Sequence, residues 1–380
     1  MNRAITQILY EVAEIIMGQS PESESYNDKG DGIPFYQGKS DFGEVYPTVR
    51  MYCTSPKKIA MANDILMSVR APIGDVNIAR EKCCIGRGLA AIRPRGENNL
   101  KYLFYLLDYY KERLAEQGTG STFKAVGKDI LKEFKIPVWN LEKQQMIADI
   151  VDEIQQLIFI RREALSVLDE LVKSRFVEMF GDMRTNPMGW RQSTVGKECY
   201  YIKDGPHKSP SYVSEETGIP FISTRNIVNG SGIDWSTAKY ISKEDYDSCV
   251  KKCYPQKGDI LYSKGGTTGI AKLVDTDRKF ANWVHVAVLK FRDNLDGKFF
   301  ESMLNMDYCY AQSQRLTKGI VNKDFVLSAI AQVKIFVPPK ELQIQYRKFV
   351  EQADKSKLSI QQSIETLQTL KAKLMQEYFG

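Results

Sequence analysis

The side chains of this chain best suited to chemistry are basic and hydroxyl-bearing residues set among turns. Lys39, Ser68, Arg70, Arg87 and Lys124 lie in or beside turns, with Ser20, Tyr36 and Phe123 nearby. Further along, Lys208, Thr224-Arg225-Asn226, Ser263-Lys264 and Thr267-Thr268 stand in similar surroundings. Arg and Asn read guanine and adenine edges through paired hydrogen bonds, whereas Lys, Ser and Thr hold phosphate oxygens. Any one of these residues alone reads as ordinary solvated loop. Together they recur at matching places in two halves of the chain, which points to a duplicated nucleic-acid-reading surface.

Other chemistries find little support. Gly265-Gly266-Thr267-Thr268-Gly269 resembles a phosphate loop but lacks the Gly-Lys-Ser/Thr ending that nucleotide hydrolysis needs. The two histidines, His207 and His285, lie apart from any cysteine pair. Cys83-Cys84 and Cys249-x-x-x-Cys253 have the wrong spacing for a zinc site. Asn186-Pro187-Met188-Gly189 is not the Asn/Asp-Pro-Pro-aromatic loop that holds a flipped base. The expectation is a non-catalytic chain with no cofactor or metal of its own.

The elements that must position these loops come in two copies. Ser174-Arg175-Phe176-Val177-Glu178-Met179-Phe180-Gly181 and Lys373-Leu374-Met375-Gln376-Glu377-Tyr378-Phe379-Gly380 close two long helical patterns, Gly181 and Gly380 being 199 residues apart. Ile136, Val138 and Gln144 match Ile335, Val337 and Gln343 at that offset, Ile65-Leu66 matches Ile260-Leu261 at 195, and Gly18 matches Gly205 at 187. Offsets that drift while keeping their order mark two diverged copies of one unit. Each copy has a turn-rich front. In the first, strands are expected around Gln7–Ile16, Ile59–Val69, Asp75–Ala79 and Cys84–Arg93, followed by a helix over Leu100–Glu116. The second front repeats the plan, with strands near Asp259–Tyr262, Ala271–Val274 and Trp283–Phe291, then a helix from Gly297.

Each front leads into an apolar stripe at heptad spacing. The first stripe includes Ile147, Ile154, Leu157, Leu168, Leu171 and Phe180, and the second Val350, Ile360, Ile364, Leu367, Leu374 and Phe379. About 40 residues rising about 1.5 Å each make a helix of about 60 Å. A bare stripe of that length needs cover, and the other copy is the nearest candidate, paired antiparallel. Arg161 and Lys357 interrupt the stripes, as side chains that snorkel at a seam, fix its register or meet a partner chain. The expected divisions are fronts over residues 1–138 and 182–337, with helices over 139–181 and 338–380.

Composition is permissive. The 380 residues are 43% hydrophobic and 26% charged with a net charge of +6, which suits a globular multidomain chain and allows nucleic-acid binding without demanding it. Seven cysteines without framework spacing and an N-terminus with no apolar h-region lead to an expected cytoplasmic location, with no membrane partner.

The whole length resembles the specificity subunit of a type I restriction-modification enzyme. The resemblance rests on Gly18-Gln19-Ser20-Pro21, Asn63-Asp64-Ile65-Leu66, Gly258-Asp259-Ile260-Leu261 and Ser263-Lys264-Gly265-Gly266-Thr267-Thr268-Gly269. It is strongest in Ile136-Pro137-Val138-x-x-Leu141-x-x-Gln144-Gln145-x-Ile147, which leads to Phe180-Gly181-Asp182 and the restart at Asn186-Pro187-Met188-Gly189-Trp190. It implies two α/β target-recognition domains, with mixed α and β elements, joined by two long antiparallel coiled-coil-like helices in pseudo-two-fold symmetry. Such a chain reads a bipartite, asymmetric double-stranded DNA target. It recruits two methyltransferase subunits that use S-adenosylmethionine and, in restricting systems, motor-nuclease subunits that use ATP and Mg2+. The resemblance also fits a modification-only or type II-like system. From the residues alone, a coiled-coil protein scaffold or a self-sufficient DNA enzyme stays open.

Overall fold

The computed structural model describes residues 4–119, 124–230, 232–319 and 323–380. Contacts divide the chain into two units, Met1–Arg162 with Gln362–Gly380, and Glu163–Gln361. Phe123 lies outside the described residues.

In the first unit the central feature is an antiparallel four-stranded sheet ordered Ala13–Met17, Leu89–Pro94, Ile65–Ser68, Val76–Ile78. Its middle strands are apolar on both faces, and the period of two sends their side chains to two different cores. Ile65, Met67, Ala90 and Ile92 join a helical core with Tyr102, Leu103, Leu106 and Phe379. Leu66, Leu89 and Ala91 join Tyr36, Ala60, Cys83 and Ile85 on the other side. A five-stranded mixed sheet covers that side, with Ile33–Tyr36 parallel to Cys83–Ile85.

The second unit repeats the plan. Cys199–Asp204, Val286–Phe291, Ile260–Ser263 and Ala271–Leu273 form its antiparallel sheet. Ile260, Tyr262, Ala287 and Leu289 face the helices, while Leu261, Val286 and Val288 face away. Its smaller mixed sheet pairs Ile219–Ile222 in parallel with Ala281–Asn282. A helix over Lys243–Lys252, capped by Ser242, packs beside that sheet.

Several expectations need correction. Gln7–Ile16 is not one strand but Ile5–Ile8, a single helical turn Leu9–Val12, and Ala13–Met17. The turn buries Leu9 and Val12 while the chain passes from a ribbon with Lys135–Val138 into the main sheet. Apolar residues serve both settings, so their pattern did not show the change. The Leu100–Glu116 helix breaks at Tyr110, and Cys84–Arg93 divides at Gly86-Arg87-Gly88 into strands of different sheets.

The long helices span Leu141–Phe180 and Lys340–Phe379. The left-handed φ of +78° at Gly181, which ends the first, suits a glycine cap. Within the first unit the helix segments run antiparallel: Trp139 Nε1 donates to Tyr378 O at 3.0 Å, Lys371 Nζ to Gln155 Oε1 at 2.9 Å, and Arg161 Nε to Ser363 Oγ at 2.7 Å. The second unit holds an antiparallel pair of its own, with Tyr346 packed on Phe176 and Phe180, and Lys357 paired to Asp169 at 2.5 Å. Arg161 and Lys357 thus each meet a polar partner on the facing helix. No helix among the described residues is long and apolar enough to cross a membrane.

The duplicated residues of the sequence have duplicated tasks. Gln144 is buried, donating to Trp139 O and Asn98 Oδ1 and accepting from Asn99 N. Gln343 does the same with Pro338 O, Asn294 O and Asp296 N. Asn99 and Asp296 cap the helices Leu100–Tyr109 and Gly297–Asn305, so each glutamine ties the start of a long helix to the start of a shorter one. Phe379 meets Tyr102 at 5.4 Å and Tyr109 at 5.8 Å, and Phe180 meets Phe299 at 4.8 Å.

Two outcomes follow. Phe379→Ala should destabilise the first unit by about 3–5 kcal/mol, the usual cost of emptying a buried phenylalanine site. Amide exchange should quicken there and not in the second unit; equal loosening of both would contradict separate cores. The second concerns Glu198, whose side chain is 5% exposed. Burial pushes this carboxyl up, but hydrogen bonds from Arg191, Ser193 and Asn294 outweigh it and bring it down to about 2. Its stabilisation is full above the unfolded pKa of about 4.3 and falls away as pH drops towards the folded value. Glu198→Gln should therefore lower Tm at pH 7 and flatten the Tm profile below pH of about 4.3. An acid limb as steep as the parent's would remove the carboxylate from the account.

Candidate nucleic-acid interface

Both units gather their turns at one end of the main sheet. In the first, Gly18 N donates to Leu89 O at 2.8 Å, Gln19 N to Ile85 O at 3.0 Å, and Gly86 N to Tyr36 O at 2.8 Å. Val69 N donates to Gly88 O and Val126 N to Val69 O, each at 2.9 Å, while Arg70 bridges Ala125. These bonds bring five separate turns together. The approach is close enough to require glycine at Gly18, where a Cβ would sit 2.2 Å from Gly86 O. Gly205 is its counterpart, with a Cβ 1.8 Å from Asn282 O.

Around this junction Ser20, Lys39, Arg70, Arg87 and Lys124 are exposed. Lys39 pairs with Asp75 at 2.6 Å, which fixes its position on the rim. Ser68 and Tyr36 are buried beneath it. The Ser68 hydroxyl donates to Pro72 O and so shapes the turn that presents Arg70. Burial pushes the Tyr36 phenol up to about 12, so it stays neutral. These two therefore support the surface rather than form it.

In the second unit Thr224 joins three turns, its hydroxyl reaching Gly265 O at 3.0 Å and His285 O at 3.2 Å. Lys208, Arg225 and Thr267 are exposed. Arg225 donates to Thr237 O at 3.0 Å. Asn226 is buried, with its amide spent on Asp234 O and Thr237 Oγ1 and its carbonyl on Ser223 N. Lys264 and Thr268 are also buried, Thr268 sharing a hydrogen bond with Thr317 at 3.0 Å. Asn226 and Thr268 are thus interior braces.

His285, which the sequence offered only as a possible metal ligand, is exposed on this surface and set edge-on to Trp283 at 5.1 Å. Sequence reading passed over Gln19, Gln37 and Lys318, all exposed on the same turns. Gly86-Arg87-Gly88 and Trp283-Val284-His285 occupy matching turns, because Gly86 N bonds Tyr36 O as Trp283 N bonds Ile222 O, an equivalence that the two unlike tripeptides do not show in sequence. All seven cysteines are free and buried.

Of the residues expected along the helices, Ile147, Ile154, Phe180, Val350, Ile364 and Phe379 are buried. Leu157, Leu168, Ile360, Leu367 and Leu374 are half-buried. Leu171 is 47% exposed and faces outward.

The model of the type I restriction modification DNA specificity domain matches residues 7–169 and again 195–370. The chain is 22% identical over 392 aligned positions to the MjaIX type I restriction enzyme specificity subunit of Methanocaldococcus jannaschii, covering 96% of this chain and 90% of that one. It is 47% identical over 161 residues to a chain named as the MjaX specificity subunit of the same organism, 42% of this chain but only 38% of that one. The structure of a type I restriction-modification S subunit from M. genitalium superposes with a TM-score of 0.61 at 17% identity, over 100% of this chain and 96% of that one, which speaks for the fold. Matched in both of its repeats, the chain belongs to the type I restriction-modification DNA specificity family.

Proposed function

We propose that the chain reads a bipartite, asymmetric DNA sequence, one half-site by each unit, and brings methyltransferase subunits to it. The observation that carries this reading is one loop cluster built twice on one topology and furnished differently each time. Arg70 stands where the second unit has Gly265, and Arg87 where it has Val284. Lys39 opens the same short 3-10 turn that Thr224 opens in the other copy. Equal scaffolds with unequal side chains offer unequal donor and acceptor patterns to a DNA groove, so one palindromic site would not suit both.

The two 40-residue helices then set the gap between half-sites and offer outward residues such as Leu171 to partner subunits. Two methyltransferase subunits would supply S-adenosylmethionine chemistry on an adenine flipped from the stack. In a restricting system motor-nuclease subunits would add ATP- and Mg2+-dependent cleavage; a modification-only system would lack them. The cytoplasm, where such DNA resides, is the matching location.

Deleting the gene in its source cells should abolish adenine methylation at one bipartite motif, read by long-read sequencing. Unchanged methylation at every motif, in cells where the protein is made, would count against the reading. Arg70→Ala should relax the choice at one base of one half-site and cost about 1–3 kcal/mol there, with Arg225→Ala doing so in the other half. Binding by the assembled complex to duplexes varied one base at a time measures this. A uniform loss across sequences, with a flatter salt dependence, would reassign either arginine to a phosphate.

A further inference from the structure

The two units fasten their reading loops by different physics. In each, one strand end lies between the entry to a neighbouring strand, Leu89–Pro94 in the first unit and Val286–Phe291 in the second, and a short return segment. Lys264 N donates to His285 O at 2.9 Å and Phe325 N to Lys264 O at 2.7 Å, as Val69 N donates to Gly88 O and Val126 N to Val69 O. Gly265 bridges Asp324 as Arg70 bridges Ala125. Asp204 faces Ala287 in the sheet as Met17 faces Ala90. Lys264, Asp324 and Asp204 therefore correspond to Val69, Ala125 and Met17. Three apolar residues in the first unit are replaced by three charged ones in the second.

The charged set is connected. The Lys264 side chain is 8% exposed, and its ammonium lies 3.3 Å from Asp204 Oδ2 and 3.3 Å from Asp324 Oδ1. Asp204 is held from its other oxygen by Lys252 at 2.9 Å, and Lys252 also donates to Gly205 O at 2.6 Å. Asp324 exchanges two backbone bonds with Lys318, each 2.9 Å. The ammonium is thus enclosed between a buried carboxylate, Asp204, and an exposed one, Asp324.

We propose that Lys264, held between Asp204 and Asp324, is a positioning residue for the second half-site: it pins Lys318 and Asp324 against the turn Gly265–Gly269. The inference rests on the reading of the chain as a two-half-site DNA reader. It adds that the geometry of the second reader depends on an ion-pair network at positions where the first reader has the apolar residues Met17, Val69 and Ala125. Lys264 and Asp204 are buried while Asp324 is 53% exposed. Removing the lysine leaves buried Asp204 short of one of its two cations and Asp324 untied, so the segment it holds should loosen.

The test compares Lys264→Met with the triple variant Asp204→Met/Lys264→Val/Asp324→Ala, which copies the first unit. Amide exchange on the purified full chain needs no DNA. Lys264→Met should speed exchange at Lys318, Asp324 and Phe325 by about tenfold or more, leaving Thr119, Ala125 and Val126 unchanged, and the triple variant should restore protection. Unchanged exchange at Lys318 and Asp324 overturns the proposal. In the assembled complex, Lys264→Met should lower base discrimination by about tenfold in the second half-site and by less than about twofold in the first, with recovery in the triple variant. Equal loss in both halves, or a uniform affinity loss with the salt slope reduced by about one, overturns it in favour of global destabilisation or a phosphate contact. A parent complex that shows no sequence preference would refute the DNA reading itself, while the exchange arm still decides the fastening.

Discussion

The constraint on which everything else depends is that a forty-residue amphipathic helix cannot leave its stripe in water. Each unit meets it by placing a segment of both long helices on the helical face of its main sheet. Phe379 enters the core of Tyr102 and Leu106, and Phe180 enters that of Phe299 and Tyr346. Burying such side chains contributes several times what exposed ion pairs on the same helices can. Residues far apart in sequence thereby become members of one core, and the helix ends are fixed with respect to the sheet whose turns carry the polar rim.

From that follows the division of labour within each loop cluster. Glycines at Gly18 and Gly205 allow backbones to meet, and buried Ser68, Asn226 and Thr268 spend their hydrogen bonds inside. Exposed Arg70, Arg87, Lys124, Lys208 and Thr267 are then free to vary in type without disturbing the scaffold. Brace and exposed side chain are thereby separate in each cluster. The ion-paired Lys264 shows that the brace itself can be built from apolar or charged residues, since hydrogen bonds through the backbone carry the topology in both units.

The long helices and the repeat were legible because their signals are strong and local. Heptad spacing, a terminal glycine and the recurrence of Gln144 as Gln343 need no tertiary knowledge to be noticed. The reason for that recurrence was not legible: a glutamine bridging two helix starts is visible only when Asn99 and Asp296 come beside it. Nor was the single turn Leu9–Val12, because buried strand and buried helix make the same demand for apolar residues. Small mixed sheets of two- to four-residue strands left almost no periodicity to read.

By itself the sequence determined that one α/β unit occurs twice, that each copy ends in a long amphipathic helix, and that basic and hydroxyl residues crowd the turns. These follow from chain-local rules: periodicity, capping and the steric freedom of glycine. Only the tertiary structure decided which of those residues face outward. Asn226 and Arg225 are neighbours of equal promise in sequence, yet one is buried and the other exposed. The difference arises because a loop residue's burial depends on what other segments bring against it. Asp234 and Thr237 close over Asn226 from beyond the turn.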